Sequence, residues 1–466
     1  MFITEDFLLD TSWAKKLYHE VAAELPIIDY HAHLPPADLA ARKKFGNAAE
    51  LWLGKGNYGD HYKWRLMRAA GVPERLVTGT GNDRERFLAF CRILPLAAGN
   101  PVLHWSHFEL KRIFGIEAVI NAETAPALWE QTNALLAGMD TWSVLDQAKV
   151  EVSCTTDDPA DDLAAHEELA RSELKTRVLP AYRPDKAMRI EAPGFADYLR
   201  RLGAAAKVDI TSFAALVRAL ESRVEFFHAH GARASDHAVD VPLPEMPPDD
   251  ATVEKLFARR LAGDSLSLAE RGAYVAALLV HLGRAYARKG WVMCLHIGAV
   301  RNVNSRAMAS LGADTGYDTI GELSIAVPLA RLLDALDRDN LLPKTMLFCM
   351  SPVMNPVLSA LAGCFQDGSV AGKLQFGPAW WFNDHKDGNL EQMRTLANHG
   401  VLGTFVGMVT DSRSFASFPR HDYFRRLLCR LLGRWVEDGE YPADFQALST
   451  LVRGVSYQNA KTYFAF

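Results

Sequence analysis

The stretch Pro26-Ile27-Ile28-Asp29-Tyr30-His31-Ala32-His33 decides how the rest of the chain reads. An apolar run ends in two histidines one residue apart. On a β-strand, residues i and i+2 project to the same side, so both imidazoles would converge on one point. Neutral imidazole is the commonest metal-ligating side chain, and a pair fixed at a strand end would supply half of a four-coordinate shell. The bland alternative is two surface histidines at a strand end. Only the residues around them separate the two.

Outward from this stretch, short β-rich apolar runs recur at 26–31, 150–155, 176–181, 233–236, 291–297, 345–350, 374–378 and 404–410. Helical patterns separate them, among them 161–174, 211–228, 266–287, 320–336, 389–398 and 422–435. Strands alternating with helices imply parallel pairing. Eight such units predict an α/β fold of the (β/α)8 TIM-barrel type rather than an open sheet. No Gly-rich phosphate loop follows an early strand, which argues against nucleotide binding. The connection 34–146, rich in Trp, Arg and Leu, reads as a helical subdomain inserted after strand one and capping the barrel mouth. The barrel then takes 1–33 and 147–466. A second long connection opens on a proline-rich loop, and Pro247-Pro248-Asp249-Asp250 places a capping Asp before a helix at 251–261.

At 466 residues the chain suits one large barrel with insertions. A net charge of −5 excludes the basic footprint of a nucleic-acid binder. No apolar run approaches the roughly 18–20 residues of a membrane span. Six scattered cysteines without a Cys-x-x-Cys pair read as buried free thiols in a reducing compartment. The start Met1-Phe2-Ile3-Thr4-Glu5-Asp6 lacks the pattern of a secretory signal, and the cytoplasm is the expected setting.

Barrel active sites lie at the carboxyl ends of the strands, and those ends are rich in chemistry here. Strand one leads to His31 and His33, strand three to Arg183, and strand four to Ser235-Asp236-His237. Strand five gives His296 and then Arg301, strand seven Trp380-Trp381, and strand eight Asp411-Ser412-Arg413. Strands one and eight are neighbours in a closed barrel, so Asp411 would join His31 and His33 around one metal ion. Alone, Asp411 reads equally well as a helix N-cap. His296 reads as a fourth ligand or proton carrier, or as a satisfied structural residue, and His237 is open in the same way. Arg183, Arg301 and Arg413 at one mouth suit an anionic small molecule, against surface ion pairs for any one of them. Trp380 and Trp381 could wall a sugar ring or pack in the core.

These residues, in this order, resemble the uronate (glucuronate) isomerase family of the amidohydrolase superfamily. The resemblance runs along most of the chain through Asp29-Tyr30-His31-Ala32-His33-Leu34, Asp60-His61-Tyr62-Lys63-Trp64-Arg65, Leu179–Lys186 with Tyr182-Arg183-Pro184-Asp185, and Ala234-Ser235-Asp236-His237. It continues in Leu295-His296-Ile297-Gly298, Gly316-Tyr317-Asp318, Gly377-Pro378-Ala379-Trp380-Trp381 and Thr410-Asp411-Ser412-Arg413. It implies interconversion of D-glucuronate with D-fructuronate, and of D-galacturonate with D-tagaturonate, with one divalent metal, usually zinc. It places His31, His33 and Asp411 at the metal. It adds Tyr62 from the inserted region, with His296, Arg183, Trp380 and Arg413, to the substrate pocket. A homo-oligomer is expected for a large enzyme of this type.

The implied chemistry fits these residue types. The open-chain sugar loses a proton from C2 and gains one at C1 through a cis-enediol, which needs a proton carrier on one face and stabilisation of the developing oxyanion. Asp411 or His296 could move the proton, Tyr62 could donate to oxygen, and Arg413, Arg301 or Arg183 could hold the carboxylate. One departure stands out: many members carry Asn-Pro-Arg-Asp where this chain reads Ser351-Pro352-Val353-Met354. A metal-dependent hydrolase is the competing class. Its usual strand-six histidine is absent from Phe348-Cys349-Met350-Ser351. A non-catalytic sugar-acid binder would have no need of proton carriers.

Overall fold

The strands form where β-branched and apolar residues cluster between turn residues, and they pair in parallel. The computed structural model describes residues 2–54, 58–321 and 324–466. Residues 55–57 of the predicted insertion and 322–323 of the predicted helix 320–336 lie outside the described residues. Seven of the eight expected strand positions are strands: β1 (Ile27–Asp29), β2 (Val150–Cys154), β3 (Arg177–Leu179), β4 (Ala234–Val239), β5 (Val292–Ile297), β8 (Lys344–Cys349) and β9 (Leu374–Phe376). An unpredicted antiparallel hairpin, β6 (Ala299–Val300) with β7 (Thr319–Ile320), follows β5. The parallel ladders run in the orders β1-β2-β3 and β4-β5-β8-β9. Tyr182 connects them through parallel bridges to Asp157 and Ser235.

Strand side chains divide by alternation. Ala234, Val292, Cys294, Met346 and Phe348 pack with Ile28 and Val152 in one cluster, whereas Met293, Leu295 and Leu347 belong to the larger core formed with the helices. Burial on both faces is why these strands read as nearly continuous apolar runs. The carboxyl-terminal residues join the first cluster: Phe464 stacks on Tyr30 at 4.6 Å, and the Tyr463 hydroxyl donates to the Lys373 carbonyl at 2.8 Å.

The predicted strand 404–410 is not a strand, a correction with a visible cause. A short 3-10 turn occupies Leu402–Thr404, and Gly407 takes φ +80°, where a Cβ would lie 2.4 Å from the Val455 carbonyl oxygen. That left-handed step interrupts an extended ladder. Side chains satisfy the backbone instead. Gln375 accepts from the Val406 amide, Asp29 from the Thr410 amide at 2.9 Å, and Tyr30 donates to the Gly407 carbonyl.

The expected helices are present with shifted ends, as Ala164–Ala170, Phe213–Ala229, Leu268–Lys289, Ala326–Asp337, Lys386–His399 and Pro419–Glu437. Asp249 caps Asp250–Leu261 by accepting from the Thr252 amide. The described part of 34–146 is helical, from Pro36–Ala40 to Thr141–Gln147. Five cysteines are buried free thiols, but Cys364 is exposed, contrary to expectation. No described helix is long and apolar enough to cross a membrane.

Candidate active site

At the carboxyl ends of the parallel strands lies a cavity of about 700 Å³, and every residue singled out above for metal binding, proton transfer or substrate contact lines it except His237. Its floor is set by two chain segments that pair without forming strands. The Asp411 amide donates to the His31 carbonyl at 3.1 Å, and the His33 amide donates to the Ser412 carbonyl at 3.0 Å. β1 ends at Asp29, so His31 and His33 sit beyond it, not on it as alternation had suggested. They converge nonetheless: His31 Nε2 and His33 Nε2 lie 3.1 and 2.9 Å from the same Asp411 Oδ1. Asp411 reaches them from φ +44°, a strained conformation for a non-glycine residue and one found preferentially at functional sites. Its other oxygen, Oδ2, accepts from Trp380 Nε1 at 2.6 Å.

This donor set suits a divalent cation. The Thr156 hydroxyl donates to the Ala32 carbonyl at 3.1 Å, leaving its oxygen to accept from His33 Nδ1 at 2.6 Å. That pattern assigns the Nδ1–H tautomer and turns the Nε2 lone pair towards Asp411. Burial drives the His33 imidazole down to about 4. Burial pushes the Asp411 carboxyl up, but hydrogen bonding from His31 outweighs this and holds it well below the usual range. A neutral imidazole lone pair and a carboxylate oxygen repel one another unless a cation lies between them. His31, His33 and Asp411 thus offer three ligand atoms within 4.8 Å of one another.

A second buried group lies beside the first. Asp236 Oδ1 is 2.6 Å from His296 Nδ1, and Oδ2 is 3.1 Å from Arg183 Nη1. Arg183 Nε also donates to Asp185 at 3.0 Å. Burial alone would raise the Asp236 carboxyl, and the charges of Arg183 and His296 hold it well below the carboxylate range instead. The His296 ring stacks on Phe348 at 4.2 Å and lies 4.8 Å from the His31 ring. His296 Nε2 is buried with no hydrogen-bond partner among the described residues, which leaves it open to a ligand in the cavity.

The mouth carries cations and aromatic rings. Arg301 pairs with Asp318 at 3.3 Å and lies 5.0 Å over the Trp381 ring. Arg413 Nη1 donates to His61 Nε2 at 3.1 Å. Tyr62 arrives on the helix His61–Ala69, whose N-cap Asp60 accepts from the Tyr62 and Lys63 amides. Burial pushes the Tyr62 phenol well above its usual value.

Residues 1–464 match the family model UxaC, described as glucuronate isomerase. The chain belongs to the glucuronate isomerase family, and it is an isomerase. A uronate isomerase from Caldicellulosiruptor saccharolyticus is 50% identical over 100% of this chain and 99% of its own length. A crystal structure of uronate isomerase from Thermotoga maritima, 34% identical, superposes with a TM-score of 0.93 over 100% of both chains. One of glucuronate isomerase from Caulobacter crescentus, 26% identical, gives 0.90 over 99% and 97%.

Against the motifs of glucuronate isomerase, two sequence readings change. Of the pair Asp236-His237, His237 had drawn attention, yet it faces away from the cavity, its Nε2 3.2 Å from Ser235 Oγ and its ring beside Tyr286. Asp236 is the residue that enters. Strand alternation carried that signal, because residues 234 and 236 share a face and Ala234 is on the inner one. The departure at Ser351-Pro352-Val353-Met354 forms a 3-10 turn, and none of these four residues lines the cavity. Thr156 and His61 were also missed, since each acts through a neighbour distant in sequence.

Proposed function

We propose that this isomerase interconverts D-glucuronate with D-fructuronate and D-galacturonate with D-tagaturonate, by proton transfer between C2 and C1 through a cis-enediol, as a step of hexuronate breakdown. The observation that carries the reading is the coexistence, in one cavity, of the His31, His33 and Asp411 donor set with proton carriers and incompletely paired guanidinium groups. The ion held there would be zinc, which suits two imidazoles and a carboxylate with an open position. When bound, it supplies polarisation of substrate oxygens.

The chain's own residues do the rest. Arg413 and Arg301, both partly exposed at the mouth, hold the uronate carboxylate, while Arg183 is committed to Asp185 and Asp236 and orients the buried wall. Trp380 and Trp381 bound the sugar chain. Asp411 and His296 stand on one side of the cavity as carriers for the proton leaving C2 and arriving at C1. Tyr62, protonated at any physiological pH, donates to the oxygen on which negative charge develops.

We also read 405–410 as the eighth position of a (β/α)8 barrel, because Gln375 of β9 accepts from the Val406 amide and donates to the Thr404 carbonyl at one end, and the Asp411 amide donates to the His31 carbonyl at the other. On the same reading 34–146 is an inserted helical subdomain that contributes Tyr62, and the cytoplasmic enzyme is a homo-oligomer. The test is proton NMR of the zinc-loaded protein with each aldose in turn. The matching ketouronate is expected from each. Folded, metal-bound protein that yields neither contradicts the reading.

A further inference from the structure

Arg420 occupies a position that general physics disfavours. It is a buried cation in the first turn of the helix Pro419–Glu437, where the helix dipole presents its positive end. A buried ion pair is often no more stabilising than a well-packed apolar replacement, so fold stability alone is a weak reason for it. Its contacts suggest another. Nη1 donates to Asp384 Oδ2 at 2.8 Å, just after the Trp380-Trp381 turn. Nη2 donates to the carbonyl of Thr410, the residue before Asp411. The guanidinium plane lies 4.8 Å over the ring of Trp105. Trp105 belongs to the helix Pro101–Phe114 of the inserted region, and the Tyr62 ring meets it edge-on at 5.4 Å.

Resting on the reading of Tyr62 and Asp411 given above, we propose that Arg420 is a positioning residue that joins the two halves of the site, fixing the Asp411 turn to the inserted region that carries Tyr62. One planar, multiply donating side chain touches all three segments, and lysine cannot reproduce this from a single point charge. Its charge acts in the same direction. Burial pushes the Tyr62 phenol up, and Arg420 is the foremost charge opposing that, so its cation favours the negative charge that Tyr62 takes on as its hydroxyl donates a hydrogen bond to the developing oxyanion. The neighbouring charges are Asp384 against the guanidinium and the Asp60, Lys63 and Glu109 group on the inserted side.

The test is a double-mutant cycle in the full-length, zinc-loaded enzyme, comparing Arg420→Lys, Tyr62→Phe and the double variant. Arg420→Lys is expected to lower kcat about tenfold or more, since small misplacements of reacting groups are costly, with KM changed less than about threefold and zinc content unchanged. The double variant is expected to be no slower than Tyr62→Phe, the mark of residues that act as a unit. Should Arg420→Lys not fold, Asp384→Asn loosens the same guanidinium and must show the same split and the same non-additivity. Losses that multiply, or that appear in KM alone, overturn the proposal while leaving the functional reading intact. Full activity in Tyr62→Phe overturns that reading of Tyr62 and this proposal with it.

Discussion

β4 and β5 on one side, and the segment 405–411 on the other, deliver functional groups to the same cavity by opposite means. In the first region a continuous parallel ladder pairs Asp236 with Cys294 and Ala238 with His296, and alternation alone aims Asp236 and His296 inward. In the second there is no ladder. Left-handed steps at Gly407 and Asp411 turn the backbone, and Asp29, Tyr30, Gln375 and Arg420 hold it through side-chain bonds. A ladder gives a side chain direction but confines it to two faces. A segment held by side chains can adopt the turn that brings one carboxylate oxygen against two imidazoles, and its support comes from distant parts of the chain.

That contrast can be broken at several points. The largest effect is expected at Asp411, where Asp411→Asn removes the proposed ligand and the proposed proton carrier together. Ketose formation should fall about 10³-fold, with less zinc retained on dialysis, both read on one preparation by NMR and metal analysis. Full zinc content with near-normal turnover would show that the irregular segment is scaffolding. Next is the ladder-borne group: His296→Asn should lower kcat about 10²-fold with zinc content unchanged, which separates proton transfer from metal binding.

Thr156→Val removes the partner that sets the His33 tautomer. Zinc affinity should weaken about 10- to 100-fold in competition with a chelator, and unchanged affinity would contradict the tautomer assignment. Gly407→Ala tests the irregular segment directly. The added Cβ meets the Val455 carbonyl at a strained φ, so the unfolding free energy should drop by about 1–3 kcal/mol in denaturant titration.

The smallest effect concerns Asp157, beside the cavity, whose carboxyl burial lifts from 3.8 to about 7. An acid with a raised folded pKa favours the folded state while protonated and loses that contribution as pH rises through the window from about 4 to 7. Melting temperatures of wild type and Asp157→Asn should therefore diverge over that window, the variant gaining relative to wild type as pH increases. Parallel curves would show that Asp157 titrates alike in both states.

What could be read from the sequence follows the same division. The ladder strands, their order and His296 were legible because period-two burial and strand ends are local signals. So were His31, His33 and Asp411 as a set, although not for the geometric reason supposed, since neither histidine is on a strand. Asp236 was legible by alternation and was passed over for His237. The eighth strand was misread because the apolar run 404–410 looks extended, while the step at Gly407 depends on close approach to Val455. Arg420, Thr156 and Tyr62 lie outside barrel logic, for each serves the site through contacts made only when distant segments fold together.

The most direct test of the account is the fate of the C2 proton. D-glucuronate is equilibrated with the zinc-loaded enzyme in D2O over many turnovers, and the C2 position of the aldose and the C1 position of the ketose are read by proton NMR. A proton carried by Asp411 or His296 in a cavity open to solvent exchanges with water, so the account predicts deuterium at both positions. Ketose formed at full rate with protium retained at both carbons would mean an internal hydride shift and would contradict it.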